Sequence, residues 1–250
     1  MTKLIKRVFV ITLSFALLSS TVFAQTVNWY VKNNSEHKRP ALDSTLSVID
    51  GHNANYLGAD EKVIYLTFDA GYENGNVAKI LDVLKKHNAK GAFFVLENLI
   101  TRNTDLVKRM ANEGHLVCNH TARHKNMSLV TDREAFEREL TALEKIYTEY
   151  TGRTLDKFYR PPEGSFNEQN LTFADEMGYK TVFWSFAYAD WDNGKQPERE
   201  RAINKIMDHI HNGEIMLLHP TSATNAAILD EVLTRLEAEG YRFGSLDELE

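Results

Sequence analysis

From residue 63 to the end of the chain, short β-rich apolar runs alternate with longer segments of helical periodicity. In the first of these longer segments, for example, Val77, Ile80, Leu81 and Leu84 share one helical face. Glycines fall near the ends of the helical segments, where a C-terminal glycine stops a helix. The runs predict strands at 63–67, 91–95, 115–118, 157–159, 180–184, 214–218 and 241–243. The segments predict helices near 76–87, 104–113, 132–150, 168–177, 198–211 and 224–239.

The order of these elements indicates the fold class. A regular alternation of strand and helix predicts an α/β fold with a parallel sheet covered by helices. Seven such strands are typical of a distorted (β/α) barrel or of an open, doubly wound sheet. Residues 25–60 are polar and irregular but contain Trp29, Tyr30 and Tyr56 as candidate anchors. We interpret them as an N-terminal extension lying on a main domain of residues 61–250, with a disordered tail as the alternative.

The first 24 residues differ in character from the rest. Lys3, Lys6 and Arg7 precede an apolar run of 17 residues over 8–24, which ends at Ala24. Basic residues, an apolar stretch and a small residue at the end are the order of a secretory signal peptide. An uncleaved membrane anchor is the alternative, but the run is short and rich in hydroxyl side chains for a span. We therefore expect cleavage after Ala24 and a secreted or extracytoplasmic protein without a membrane span.

Composition narrows the function classes. The chain of 250 residues is 43% hydrophobic and 26% charged, which is ordinary for a globular protein with a sizeable core. Its net charge of -6 gives no indication of nucleic-acid binding, which usually needs a basic surface. The one cysteine, Cys118, lies in an apolar run and has no partner for an internal disulfide. We expect it to be a small buried apolar residue.

Residues capable of catalysis follow the ends of five predicted strands. In parallel α/β folds, active sites are built at the carboxyl ends of the strands. The sequence therefore predicts one active site at that end of the sheet. The residues are Asp69 after 63–67, His120 and His124 after 115–118, Arg160 after 157–159, Asp190 after 180–184, and His219 after 214–218.

The two histidines of the third strand end are candidate metal ligands. His120 and His124 stand four residues apart, so in a helix both imidazoles would lie on one face and bind one cation. Two histidines at this spacing are also common on protein surfaces, which is the alternative interpretation.

The remaining residues are candidates for acid–base work. Asp69 is a general base or a metal ligand, and Arg160 beside a carboxylate would keep it ionised and oriented. His219 is a general acid with a pKa near neutrality, or else a core histidine. Asp190 would orient His219, as a carboxylate holds an imidazole in a catalytic triad. Trp191 would add an apolar wall or a stacking face for a sugar.

Five segments in this order resemble the motifs of NodB-type polysaccharide deacetylases, carbohydrate esterase family 4. The resemblance covers roughly residues 62–250. Further segments resemble the subgroup of delta-lactam-biosynthetic N-acetylmuramic acid deacetylases, among them the loop of residues 71–75. The five motifs are Thr67-Phe68-Asp69, the segment from His120 to His124, Arg160-Pro161-Pro162 with Gly164, Asp190-Trp191, and Leu217-Leu218-His219.

The resemblance implies a distorted (β/α) barrel, the NodB homology domain, and hydrolysis of an N-acetyl amide by water. It implies that Asp69 is the base, that Arg160 positions it, and that Asp190 tunes the acid His219. It also implies that His120 and His124 hold a divalent metal, zinc or another divalent cation. The residues assigned by the resemblance to substrate binding are Leu217 and Trp191 at the acetyl pocket, Glu163 through its amide N–H, and Tyr72. The expected partner is the glycan strand of peptidoglycan, and the expected state is a monomer.

Two positions depart from the family pattern. Ala70 stands where many members carry a second aspartate that completes the metal site, although the muramic acid subgroup is similar in lacking it. Glu163 is an acid where a basic or aromatic side chain would be expected. It would repel the lactyl carboxylate of muramic acid unless a cation such as Arg123 intervenes.

Four functions therefore remain open on the sequence. The first is deacetylation of N-acetylmuramic acid, with lactam closure as a further step that rests on the subgroup resemblance alone. The second is deacetylation of N-acetylglucosamine. The third is non-catalytic glycan binding, which Ala70 motivates, and the fourth is glycoside hydrolysis with Asp69 and Asp190 as paired carboxylates. The last leaves the three histidines without a role.

Overall fold

The computed structural model describes residues 25–32 and 35–249 of the chain. The segment interpreted as a signal peptide, 1–24, lies outside the described residues. Within the described part there are seven α-helices, none of them long and apolar enough to cross a membrane. They are α1 (Val77–Lys86), α2 (Glu97–Arg102), α3 (Thr104–Asn112), α4 (Arg133–Thr151), α5 (Glu168–Glu176), α6 (Arg199–Met207) and α7 (Ala223–Ala238). The strands are β1 (Val27–Asn28), β2 (Ala54–Asn55), β3 (Val63–Ala70), β4 (Gly91–Val95), β5 (Leu116–Asn119), β6 (Asp156–Tyr159), β7 (Ser165–Phe166), β8 (Lys180–Val182), β9 (Glu214–Leu218) and β10 (Arg242–Phe243).

The main sheet is parallel throughout and curls into a distorted barrel. Strands β3, β4, β5, β6, β8 and β2 are neighbours in that order, and β9 and β10 both pair with β3. Beyond the end of β8, Phe186 forms a parallel bridge with Met216 of β9, so the two sides of the curled sheet meet. This confirms the predicted barrel and excludes the open, doubly wound sheet.

Alternate residues of each strand enter two apolar layers, as the pleat of a strand requires. Val63 and Tyr65 of β3 join a cluster with Phe94 and Cys118. Ile64 of β3 and its even-numbered neighbours join the larger cluster, which contains the buried faces of the surrounding helices. Cys118 is a free, buried cysteine, as the sequence predicts.

The predicted elements are present with small shifts at their ends. Helix α6 ends at Met207, four residues before its predicted end. The reason is the side chain of His209, whose ring Nδ1 donates to the Lys205 carbonyl oxygen at 2.8 Å. A continuing helix would use that oxygen to accept a backbone N–H. The structure adds the short helix α2 and the two-residue strands β1, β2 and β7, which the sequence pattern did not predict.

The segment before β3 packs on the barrel. Trp29 is 6% exposed and belongs to an apolar cluster with Leu46, Ile49, Phe166 and Phe183. Strand β1 pairs antiparallel with β7, and β2 extends the main sheet beside β8. Part of this N-terminal segment therefore belongs to the main sheet, and part packs against the apolar cluster beside it.

Gly213 and Gly152 have similar backbone angles but differ in the space around them, so replacing each with alanine separates the effect of close packing from that of the backbone angle. Gly213 and Gly152 have φ of 68° and 74°. A Cβ at Gly213 would lie 2.8 Å from the Gly58 carbonyl oxygen and closer still to that of Ala59, whereas a Cβ at Gly152 has no heavy atom within 4 Å. We expect Gly213→Ala to lower the free energy of unfolding by roughly 3 kcal/mol or more. The control Gly152→Ala should lower it by about 1 kcal/mol. Urea unfolding measures the free energy of unfolding of both variants. Equal losses would contradict the close contact of Gly213 with the carbonyl oxygens of Gly58 and Ala59.

Candidate active site

The carboxyl ends of the parallel strands surround a cavity of about 710 Å³. Asp69 reaches it from the end of β3, His124 from the loop after β5, and His219 from the residue after β9. The structure thus brings together residues that are 150 positions apart in the sequence. The apolar part of its lining consists of Trp184, Ala187, Tyr188, Ala189, Trp191 and Leu217.

Arg160 is the buried centre of the site. It follows β6 directly and its side chain is 0% exposed. Its guanidinium donates from Nη1 to Asp69 Oδ1, from Nη2 to Thr67 Oγ1 and from Nε to the Val182 carbonyl oxygen, each at 2.9 Å. It also lies over the ring of Phe94, 4.2 Å from the ring centre. These contacts fix the direction in which Asp69 presents its carboxylate.

The protonation state of Asp69 follows from its surroundings. Burial acts to raise the pKa of this carboxyl, but the positive charges of His120 when it is protonated, of Arg160 and of His219 outweigh burial and hold the pKa below its usual value. Burial lowers the pKa of His120 to about 4, so this imidazole is neutral at pH 7. The guanidinium of Arg160 is always charged. Asp69 is therefore ionised at neutral pH, with Arg160 as its permanent counter-ion.

The two candidate metal ligands meet, but in a loop rather than a helix. The spacing would place both rings on one face if the segment were helical, but it forms a turn in which Thr121 and His124 have φ of 68° and 54°. Asn119 Oδ1 accepts a hydrogen bond from Thr121 N, and Thr121 Oγ1 accepts one from His124 N. This tight turn brings the imidazole rings of His120 and His124 to 5.0 Å between centres, at 75°.

The donor set fits a divalent cation through two imidazoles. His120 Nδ1 donates to the Arg160 carbonyl oxygen at 2.8 Å, because a carbonyl only accepts. The lone pair therefore lies on Nε2, which is 3.5 Å from Asp69 Oδ2. A lone pair facing an ionised carboxylate favours a cation between or beside them. Among the described residues, no group of three or more His, Cys, Asp and Glu side chains is arranged to hold a metal ion. Two donors are one fewer than in typical catalytic zinc sites.

A second buried pair lies across the cavity. Asp190 is 1% exposed, and its Oδ1 lies 2.7 Å from His219 Nδ1 while its Oδ2 accepts from His219 N at 2.7 Å. Asn225 Nδ2 donates to the same Oδ2 at 2.6 Å, and Asn225 Oδ1 accepts from the Tyr188 hydroxyl. With Nδ1 bonded to the carboxylate, His219 has Nε2 available for proton transfer.

Asp190 also sets the charge of His219. Burial acts to lower the pKa of His219, but the hydrogen bond and charge of Asp190, with a contribution from Asp69, raise it above its usual value. The cavity therefore holds an ionised carboxylate and an imidazole whose protonated form is favoured. These are the states that a general base and a general acid require.

Three of the four residues expected to bind substrate line the cavity, and the fourth does not. Leu217 is 5% exposed and lines the cavity, as does Trp191, which is 64% exposed. Glu163 also lines it, at φ 61°, and its Oε2 accepts from Asn126 Nδ2 at 3.3 Å. Tyr72 is not among the described residues that line the cavity; its hydroxyl accepts a hydrogen bond from Asn193.

Sequence reasoning missed three residues of this site. Asn225 orients Asp190 from the first turn of α7, and no local pattern indicates it because its partner lies 35 residues earlier. Tyr188 and Trp184 line the cavity. Their aromatic character at a strand end, close to Asp190-Trp191, was the available signal.

The profile of the family described as polysaccharide deacetylase matches residues 57–182 of this chain. The chain is 40% identical to the peptidoglycan-N-acetylmuramic acid deacetylase PdaA of Bacillus subtilis, over 90% of this chain and 86% of that protein. It is 35% identical to the peptidoglycan-N-acetylglucosamine deacetylase PgdA of Listeria monocytogenes, over 75% of this chain and 39% of that protein. The solved structure of B. subtilis PdaA, described as a family 4 carbohydrate esterase, superposes with a TM-score of 0.86 at 39% identity, covering 90% of this chain and 97% of that one.

The link between Asp190 and His219 is open to direct measurement. We expect Asp190→Asn to lower the pKa of His219, because the substitution removes the carboxylate charge that raises it. NMR titration of the His219 imidazole in both proteins measures this. His115, a buried imidazole outside the cavity whose pKa burial lowers to about 4, is an internal reference that should keep its pKa. A His219 pKa that stays the same or rises in Asp190→Asn would contradict the assignment.

Proposed function

This chain belongs to the polysaccharide deacetylase family, whose members hydrolyse the amide of N-acetylated sugars, and we propose that it is a peptidoglycan deacetylase acting on N-acetylmuramic acid. The observation that carries the proposal is the pairing of Asp69 with Arg160 and of His219 with Asp190 at one cavity. One pair favours a base and the other favours an acid, which is what hydrolysis of an amide needs.

In the proposed reaction, Asp69 accepts a proton from a water molecule as the water oxygen adds to the carbonyl carbon of the acetamide. The oxyanion that forms is stabilised by the backbone N–H of Glu163. The C–N bond then breaks while His219 Nε2 gives a proton to the sugar nitrogen. The products are acetate and a free amine. Arg160 holds Asp69 in direction and charge, and Asp190 does so for His219.

The walls of the cavity match the proposed substrate. Leu217, Trp184 and Tyr188 give an apolar lining suited to the acetyl methyl group. Trp191 is exposed at the cavity and offers its ring face to a sugar. Tyr72 stays a candidate for contacts outside the cavity, because it is exposed and bonded to Asn193.

We propose that His120 and His124 hold a divalent cation, zinc or another. When bound, such an ion supplies Lewis-acid polarisation of the amide carbonyl. The neutral state of His120 and the orientation of its Nε2 lone pair support this assignment.

The choice of muramic acid rests on the higher identity to PdaA, which is named for that substrate, than to PgdA, which is named for N-acetylglucosamine. Glu163 is the feature that favours the glucosamine alternative, because a carboxylate in the cavity lining repels the lactyl carboxylate. Closure of a delta-lactam after deacetylation, a spore cortex-type product, is part of the same proposal. So are secretion by the 1–24 signal peptide, an extracytoplasmic location at the cell wall, and a monomeric state.

A non-catalytic glycan-binding protein is the second candidate, which Ala70 and the incomplete donor set favour. It predicts binding to glycan strands without release of acetate. A glycoside hydrolase would instead shorten the strands, which distinguishes it from both.

The central test is mass analysis of peptidoglycan fragments after incubation with the protein. We expect acetyl loss from muramic acid, and a fall of about 10²–10⁴-fold in acetate release in Asp69→Asn and in His219→Ala. The matched control is His87→Ala, which removes an imidazole paired with Asp230 outside the cavity. Circular dichroism checks that each variant is folded.

Turnover that is unchanged in both folded active-site variants would contradict the enzyme assignment. Acetyl loss from glucosamine alone would replace the substrate and keep the chemistry. Absence of acetyl loss with every divalent metal tried would favour the binding protein.

Metal binding is tested apart from activity. We expect His124→Ala to weaken binding of Zn²⁺ by at least about 10-fold, because it removes one of two protein ligands. Isothermal titration with Zn²⁺ alone measures the affinity. The control is His115→Ala, which removes another buried, neutral imidazole, with a pKa lowered to about 4 by burial, outside the cavity. Equal affinity in His124→Ala and the wild type would exclude this site.

A further inference from the structure

The N-terminal strand is bonded to the turn that carries Glu163. Strand β1 pairs antiparallel with β7, which begins one residue after the turn Pro162–Gly164. Trp29 N donates to the Gly164 carbonyl oxygen at 2.8 Å. Ser165 Oγ donates to Asn28 Oδ1 at 2.7 Å. The C-terminal side of the turn is therefore held by residues more than 130 positions earlier in the chain.

The side chain of Trp29 reaches a second wall of the cavity. Its indole Nε1 donates to the Trp184 carbonyl oxygen at 2.9 Å. Its ring stacks on Phe183, with 4.3 Å between ring centres and 20° between ring planes. Trp184 and Gly164 both line the cavity. One buried residue thus contacts both the Glu163 turn and Trp184.

The turn needs such support because its backbone is in an unfavourable region. Glu163 and Gly164 have φ of 61° and 64°, two left-handed residues in succession. For Glu163, which has a Cβ, this conformation is unfavourable and persists only where the surroundings impose it. A Cβ at Gly164 would lie 2.8 Å from Trp184 Cη2 and 3.0 Å from Trp29 Cβ. Trp29 and Trp184 therefore enclose the turn closely on the side of Gly164.

We propose that Trp29, together with Asn28, is a positioning element for catalysis: it holds the Glu163 turn so that the backbone N–H of Glu163 meets the oxyanion. This inference rests on the deacetylase function proposed above. It gives the N-terminal segment a role in the reaction, through the turn and without contact to the substrate.

The role has a kinetic signature that distinguishes it from simple stabilisation. An oxyanion donor acts in the transition state, and loss of one such donor lowers kcat by about 10²–10³-fold. A turn that is loosened but present should lose part of this, about 10-fold in kcat, with KM nearly unchanged. The pH dependence of kcat should keep its shape, because the two acid–base pairs are untouched.

The test compares three variants with a matched control. Asn28→Ala removes the side-chain acceptor for the Ser165 hydroxyl. Trp29→Phe removes the indole N–H that bonds the Trp184 carbonyl but keeps an aromatic ring, and Trp29→Ala removes both the indole N–H and the ring. The control is Leu46→Ala, which empties part of the same apolar cluster but is not bonded to the turn. We expect kcat to fall moderately in Asn28→Ala and in Trp29→Phe, and most in Trp29→Ala. Leu46→Ala should lower only the Tm. Amide hydrogen exchange of residues 163–166 should quicken in Trp29→Phe and not in Leu46→Ala.

Each outcome decides the proposal. If the Trp29 variants lose Tm but keep kcat and the wild-type exchange rate of the turn, Trp29 is structural and the inference is wrong. If Leu46→Ala lowers kcat as much as Trp29→Ala at equal loss of stability, the inference is also wrong. If the wild-type protein releases no acetate from peptidoglycan, the proposed function fails and this role with it. An active wild type with silent Trp29 variants overturns the positioning role alone.

Discussion

Both the barrel and the site depend on the hydrogen bonds of the buried Arg160 guanidinium. A buried charge without partners destabilises a protein by several kcal/mol, so each donor must find an acceptor. The acceptors lie on β3, in Thr67 and Asp69, and in and beside β8, at the carbonyls of Val182 and Phe183. These elements stand on opposite sides of the curled sheet. The network is therefore satisfied only when the sheet has closed in the observed register, and the same contact that satisfies Arg160 keeps Asp69 ionised.

The sequence predicted the barrel well because its signals are local. Strand β4 is a continuous apolar run bounded by charged and polar residues, and α1 presents a single apolar face, so each is recognisable without its neighbours. Helix α2 has only six residues, too few to show a period. Strands β1 and β7 have two residues each and exist because they pair with one another across the fold. Such elements are set by tertiary contacts and leave no pattern in the chain.

The candidate site shows the same division. Asp69, His120, Arg160 and His219 were predicted to meet because each follows a recognisable strand, and the barrel brings these strand ends together. Their mutual geometry was not predictable from spacing. Residues 120–124 form a turn because Asn119 and Thr121 use their side chains to bond nearby backbone amides, which competes with a helix. Asn225 was missed because its role depends on Asp190, which approaches it only in the folded chain.

The arrangement also explains how this chain accommodates Ala70. That residue is fully buried in the apolar cluster shared with α1, so the position contributes to packing against the helix. The charge states of Asp69 and His219 are set by side chains other than the one at this position. Arg160 keeps Asp69 ionised and Asp190 favours the protonated form of His219, and each partner is buried beside the group it controls. Under the proposed function, alanine at this position leaves two imidazoles to hold a cation, while Arg160 and Asp190 still set the charges of Asp69 and His219.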